Sequence, residues 1–290
     1  MGSLLIVGLG YTGRATASAA VEAGWLVGAT TRGAATAQGG IKLSPFNAPD
    51  LAGVTHMLIT APPSDDGDPV LHAHQSAIRA APDLRWIGYL STTGVYGDRG
   101  GAWVDEATAP APSSARGQRR VAAEAAWSAF ADRMAVDIFR LAGIYGPGRS
   151  AFDDLRAGTA RRIDRPDHKF GRIHRDDVAG MVLAAMTQSP PPGVRIFNGN
   201  DDLPAASADV IAEAARLLGR PAPPLIRFED AALSPMGASF WAENRKVRSR
   251  LTQDVLGRRW TYPTYREGLA AILAEEGPDG RGEDGKVGRT

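Results

Sequence analysis

Ser3-Leu4-Leu5-Ile6-Val7-Gly8-Leu9-Gly10-Tyr11-Thr12-Gly13-Arg14 is the stretch whose reading decides the fold. Its first five residues are mostly apolar and read as a buried strand. A G-x-G-x-x-G run follows at once, and small residues from Ala15 to Ala23 continue it as a helix. Strand, glycine turn and helix in that order are what a dinucleotide site needs. Gly8 permits the tight turn, Gly10 lets a pyrophosphate reach the backbone, and Gly13 lets helix and strand pack closely. The helix N-terminus then offers free N–H groups and a positive dipole end to phosphates, with Tyr11 and Thr12 in its first turn. The plainer alternative is a glycine turn in an ordinary α/β protein.

Working outward, Trp25–Thr31 reads as a second strand. Its end, where a dinucleotide fold selects its cofactor, carries Thr30, Thr31 and Arg32 in place of Asp or Glu. A carboxylate there bonds the ribose hydroxyls of NAD and repels a 2′-phosphate, whereas an arginine can bond that phosphate. NADP is therefore expected ahead of NAD, unless Arg32 is only a solvated strand end. Further strands are expected near Ile41–Leu43, at His56–Ala61 with Ala61 and Pro62 at the cofactor edge, at Arg85–Ser91, at Met134–Leu141 and at Val194–Asn198. A long helix is expected from about Ser114 to Asp132. Strands alternating with helices give a doubly wound parallel sheet, a Rossmann α/β fold with a smaller C-terminal substrate domain. Residues 1–150 form the dinucleotide domain, with 174–200 returning to it. Residues 151–173 and 201–276 form the smaller portion, and 277–290 a disordered tail.

Composition narrows the function classes. The 290 residues are 43% hydrophobic, carry a net charge of +1 and include no cysteine. Thiolate chemistry and disulfides are excluded, and no charge excess points to nucleic acid. No apolar run is long enough for a membrane span, so a cytoplasmic protein is expected. Only four of the 33 basic residues are lysine, a tilt that lowers the meaning of any single arginine. The sequence holds no phosphate loop, nucleophile elbow or zinc-protease motif. His72 and His74, two apart on a helix, point different ways and are assigned no metal. Asp176 and Asp177 read as helix caps.

Five motifs in order resemble the extended short-chain dehydrogenase/reductases, the relatives of nucleotide-sugar epimerases and dehydratases. They are G-L-G-Y-T-G at 8–13, S-T-T-G-V-Y-G-D at 91–98, R-L-A-G-I-Y-G-P-G at 140–148, R-I-H-R-D-D-V-A at 172–179, and the closing G-L-A-A-I-L at 268–273. The resemblance covers about residues 3–275. It implies a dinucleotide domain and a smaller domain closing over a substrate, for which a nucleotide sugar is one candidate. It also implies a catalytic Ser/Thr, a general acid/base Tyr and a Lys four residues after it. Thr92 matches the first of these. Arg116 falls at the Tyr position and Arg120 at the Lys position, and no Tyr or Lys occurs from Gly97 to Ile144.

A guanidinium does not exchange protons near neutral pH, so Arg116 cannot replace a tyrosine. Tyr96 is one substitute, with a phenol that a nearby Arg116 or Arg120 would acidify. His174 is another, and Tyr145 fits the cofactor pocket floor. Arg116 itself fits an oxyanion or phosphate clamp. Two readings follow. One is an NAD(P)-dependent oxidoreductase or epimerase/dehydratase-like enzyme with a non-standard proton relay. The other is a non-catalytic NAD(P)-binding sensor. The β-hydroxyacid dehydrogenases, which also open on G-L-G-x-x-G, lack the later motifs. The chain is expected to act as a monomer or homodimer.

Overall fold

Leu4 and Ile6 face one core and Leu5 and Val7 another, as the two-residue period of a strand demands. A strand apolar on both faces has to lie inside a sheet covered on both sides. The computed structural model describes residues 2–31 and 39–279 and has that architecture. Its elements begin with β1 (Ser3–Val7), α1 (Tyr11–Glu22), β2 (Leu26–Thr31), β3 (Ile41–Pro45), β4 (His56–Ile59) and α2 (Pro69–Ala80). Next come β5 (Trp86–Thr92), β6 (Trp103–Val104), α3 (Ala115–Ser128), β7 (Ala135–Leu141), β8 (Gly143–Tyr145), α4 (Ala151–Arg156), β9 (Arg162–Asp164) and β10 (Arg172–His174). The chain closes with α5 (Arg175–Thr187), β11 (Gly193–Gly199), α6 (Ser207–Leu217), β12 (Leu225–Arg227), α7 (Pro235–Trp241), β13 (Lys246–Val247), α8 (Arg250–Leu256) and α9 (Tyr265–Glu276).

Seven parallel strands lie in the order β3-β2-β1-β4-β5-β7-β11. Order reverses at β1, with Val7 opposite Thr30 on one side and Ile59 on the other. Helices α1 and α5 cover one face through Ala17, Ala20, Val178, Met181 and Val182. Helices α2 and α3 cover the other through Val70, Leu71, Ile78, Ala123 and Trp127. Thus α5 and β11 lie in the layers of the main sheet. A separate core of Tyr145, Phe152, Val210, Ala214, Tyr265, Leu269 and Ile272 joins α4, α6 and α9 beside the sheet's C-terminal edge.

The long helix stops at Ser128, before the expected Asp132. Residues 129–133 instead form turns that swing Phe130 into the core, where it is 1% exposed. Strands β6, β9, β10, β12 and β13 have two or three residues each, too few to leave a periodic pattern. They pair as β6 with β13, β8 with β10, and β9 with β12, tying the C-terminal portion to the main sheet's loops. No helix among the described residues is long and apolar enough to cross a membrane. Most of the expected tail, and Arg32, lie outside the described residues.

Candidate functional site

Gly8 takes φ +105°, a conformation that favours glycine, and turns the chain out of β1. The Thr60 hydroxyl donates to the Gly8 carbonyl and fixes the turn from β4. A Cβ on Gly13 would lie 2.5 Å from the Gly8 carbonyl oxygen, so this glycine permits the close crossing of α1 over the turn. A Cβ on Gly10 would meet nothing within 4 Å. The space above Gly10 is open, unlike that at the other two.

Gly10 is the N-cap of α1, which has no side-chain cap and no acid in its first turn. The N–H groups of Tyr11, Thr12 and Gly13 therefore lack an intrahelical acceptor. By contrast Asp68, Ser114 and Ser150 cap α2, α3 and α4 with side-chain oxygens. An uncapped, acid-free helix start over open space fits the diphosphate of a dinucleotide. Tyr11 lines this space, donates its hydroxyl to the Pro147 carbonyl at 3.0 Å, and has its pKa raised by burial.

The opening leads into a cleft of about 1150 Å³. Gly10, Tyr11, Thr12, Gly13, Thr92, Arg116, Arg120 and Tyr145 line it; Gly8, Ala61 and Pro62 do not, although Thr60 does. The opposite wall holds Lys169, Arg172, Phe240 and Trp241, of which only Arg172 falls in one of the motifs. The volume is somewhat above the ~300–1,000 Å³ of ordinary small-molecule sites.

Thr92 ends β5, and its hydroxyl oxygen accepts from the Gly94 N–H at 3.1 Å. Arg120 is buried at the cleft floor, where Nη1 donates to the Leu90 carbonyl at 2.8 Å and the Tyr89 hydroxyl at 3.1 Å. Arg116, four residues earlier on α3, is exposed to the cleft and sits 5.9 Å from the Phe240 ring centre. Loss of water lowers its pKa, and the like charges of Arg120, Arg119 and Arg149 add to this.

Tyr96 is displaced from the role envisaged for it. Its ring is fully buried behind the cleft, and its hydroxyl donates to Asn198 Oδ1 at 2.8 Å while accepting from Arg140 at 3.1 Å. Burial raises its pKa, the reverse of the acidified phenol expected. Arg140 in turn pairs with Glu124 at 2.8 Å, and Ser91 donates to the same carboxylate at 2.6 Å. His174 is also buried outside the cleft lining, packed on Tyr262 at 4.1 Å between ring centres, with a pKa lowered by burial. Tyr145 does line the cleft, but its hydroxyl abuts Gly268 and burial pushes its pKa up.

Asp177 is a tie between elements and not the helix cap anticipated. It is wholly buried and accepts from the Thr261 and Tyr262 N–H groups at 2.7 and 2.9 Å. The N-cap of α5 is His174, whose Nδ1 accepts from the Asp176 N–H. His74 bonds the Phe46 carbonyl at 2.7 Å. Among the described residues no group of His, Cys, Asp and Glu is placed to hold a metal.

No family model matches the chain. It is 30% identical over 251 residues to Protein YeeZ of Escherichia coli (strain K12), covering 76% of this chain and 85% of that one. A functionally unknown conserved protein of Silicibacter pomeroyi has the same fold with a TM-score of 0.86 and 44% identity, over 94% of this chain and 99% of that one. Two structures at 20% identity share the fold. Human epimerase family protein SDR39U1 with NADPH has a TM-score of 0.77 over 94% and 99% of the two chains. MoeE5 in complex with UDP-glucuronic acid and NAD has a TM-score of 0.76 over 94% and 98%. The relatives and the strand order together place the protein: it belongs to the family of Protein YeeZ, and its glycine turn at the switch point and sheet order give it the fold of the NAD-dependent epimerase/dehydratase-like proteins.

Proposed function

We propose that the protein is an NAD(P)-dependent oxidoreductase or epimerase/dehydratase-like enzyme that acts on a small molecule and lacks the usual proton relay. The observation that carries this reading is the open, uncapped start of α1 at Gly10, continuous with a cleft of about 1150 Å³. Gly10, Tyr11, Thr12 and Gly13 hold the diphosphate, with Gly8 shaping the turn beneath it and Thr60, in place of the expected Ala61 and Pro62, facing the cofactor. Tyr145 forms part of the floor. A bound nicotinamide supplies hydride chemistry at the strand ends. The residues of the opposite wall, with Phe240 and the Arg172 guanidinium, contact the substrate. The dinucleotide-binding neighbours support the cofactor class, and the UDP-sugar complex of MoeE5 makes a nucleotide sugar the first substrate class to try.

NADP is preferred over NAD in this reading, because Arg32 stands where an NAD site carries an acid. Fluorescence titration with NADPH and NADH tests both parts. NADPH binding tighter than NADH is expected, and Arg32→Ala weakens NADPH more than NADH. An equal loss for the two removes the 2′-phosphate role. Absence of any binding removes the function.

A further inference from the structure

The cations of the cleft are unequally satisfied. Arg245 is held by Glu243 at 2.7 Å. Arg120 is committed to the Leu90 carbonyl and Tyr89. Arg172 gives Nη1 to the Phe170 and Ala205 carbonyls. Arg116, like the Lys169 and Arg149 side chains that also line the cleft, has no hydrogen-bond acceptor and no carboxylate within 4.0 Å among the described residues. A guanidinium crowded by three other arginines and given no counter-charge is a standing anion site.

Thr92 is the second free donor. Its oxygen already accepts from Gly94, which leaves the O–H proton for the cleft that the side chain lines. The two residues belong to one corner of the molecule. The first turn of α3 packs on the turn after Thr92, where a Cβ on Gly117 would lie 3.1 Å from the Gly94 carbonyl oxygen. That corner lies on the β4-β5-β7 side of the switch point at β1, opposite β2 and β3. A dinucleotide spanning the switch point places one nucleotide on each side. In the NADP reading proposed above the adenosine half lies on the β2 side, so the reacting half falls beside Thr92.

We infer that the Thr92 hydroxyl and the Arg116 guanidinium form a two-donor subsite for a negatively charged oxygen of the substrate. The inference rests on the dinucleotide reading above. The pair binds and orients; it moves no proton, since the guanidinium stays charged throughout the working pH range. Two sources fit the chemistry. One is a carboxylate or phosphate that the substrate already carries. The other is a carbonyl oxygen that gains charge as hydride from the reduced nicotinamide adds to its carbon and that then takes its proton from solvent water, which makes Arg116 a catalytic residue of the electrostatic kind.

The test begins with NADPH and NADP binding to wild type, Arg116→Gln, Arg116→Lys and Arg116→Ala. Exposed Arg116 tolerates replacement, so unchanged dinucleotide affinity is expected. Acetate is then titrated into the NADP-saturated proteins. A standing anion subsite shows as about tenfold weaker acetate binding in Arg116→Gln, with Arg116→Lys between. In parallel, NADPH oxidation is followed with 9,10-phenanthrenequinone, which carries no charge at the start. A developing oxyanion shows as a kcat loss of about 10²–10³ with KM unchanged, and dilute guanidinium ion restores Arg116→Ala. Either pattern supports the subsite and identifies the source of the charge. If Arg116→Gln matches wild type in both assays, or the wild type binds NADPH but neither probe, the inference is overturned and the dinucleotide site stands. If no dinucleotide binds, both fall.

Discussion

At the scale of single residues, the three glycines of the opening motif separate into two kinds. Gly13 and Gly8 are demanded by the fold, one by a contact that would put Cβ 2.5 Å from backbone, the other by positive φ. Gly10 is demanded by neither, since its Cβ would meet nothing. Gly10→Asp should therefore fold with an unchanged urea midpoint and lose NADPH binding by more than about 100-fold, because a carboxylate against phosphates costs several kcal/mol. Gly13→Ala should do the opposite, lowering stability by about 1–3 kcal/mol through overpacking. Equal stability losses in the two variants would mean that Gly10 is structural. The motif was legible in the sequence because it is contiguous and each glycine has a separate physical reason. The state of Arg116 was not. Its place in the chain was readable, but its lack of a counter-charge depends on where Arg120, Arg149 and Phe240 end up in space.

At the scale of elements, the strands and helices that carry strong periodicity were legible and the ties between them were not. Strand β7 reads Ala-Val-Asp-Ile-Phe-Arg-Leu and is buried throughout, with two charges inside it. Asp137 is neutralised by Arg195 of β11 at 2.6 Å and bonded by the Trp86 indole at 2.7 Å. Arg140 is neutralised by Glu124 of α3, which also anchors Ser91 of β5. These partners lie 16 to 58 positions away, beyond the reach of any local pattern. Tyr96 was misjudged for the same reason, since its partners Asn198 and Arg140 come from β11 and β7. Glu124→Gln leaves the Arg140 guanidinium buried without its counter-ion, and should cost about 3–5 kcal/mol. Urea denaturation measures this, and a loss below about 1 kcal/mol would mean that Arg140 finds another partner or water.

At the scale of the whole molecule, one face of the sheet and the C-terminal portion each enclose a histidine that stays neutral. His56 packs between Trp25 and Trp86, with ring centres 4.8 and 5.7 Å away, and burial pushes its pKa down to about 4. His168 sits against Phe170 and Trp241 beside the cleft, at 4.6 and 5.1 Å, and is likewise pushed down to about 4. Among the described residues neither nitrogen of His168 has a hydrogen-bond partner. In the unfolded chain both titrate near 6.5, so between pH 6.5 and 4 the unfolded state binds protons that the folded state refuses. Their contribution is full above pH 6.5, declines as pH falls, and levels off below about 4, with a total of up to about 3 kcal/mol for each. Asp201 works in the opposite sense, because burial holds its carboxyl well above the usual range and its stabilisation fades as pH rises. Comparing variants isolates one group from the other. His168→Phe should lose the part of the acid sensitivity that His168 supplies, leaving a shallower fall in unfolding free energy from pH 6.5 to 4.5 than in wild type. Parallel curves for the two proteins would mean that His168 takes up its proton in the folded state.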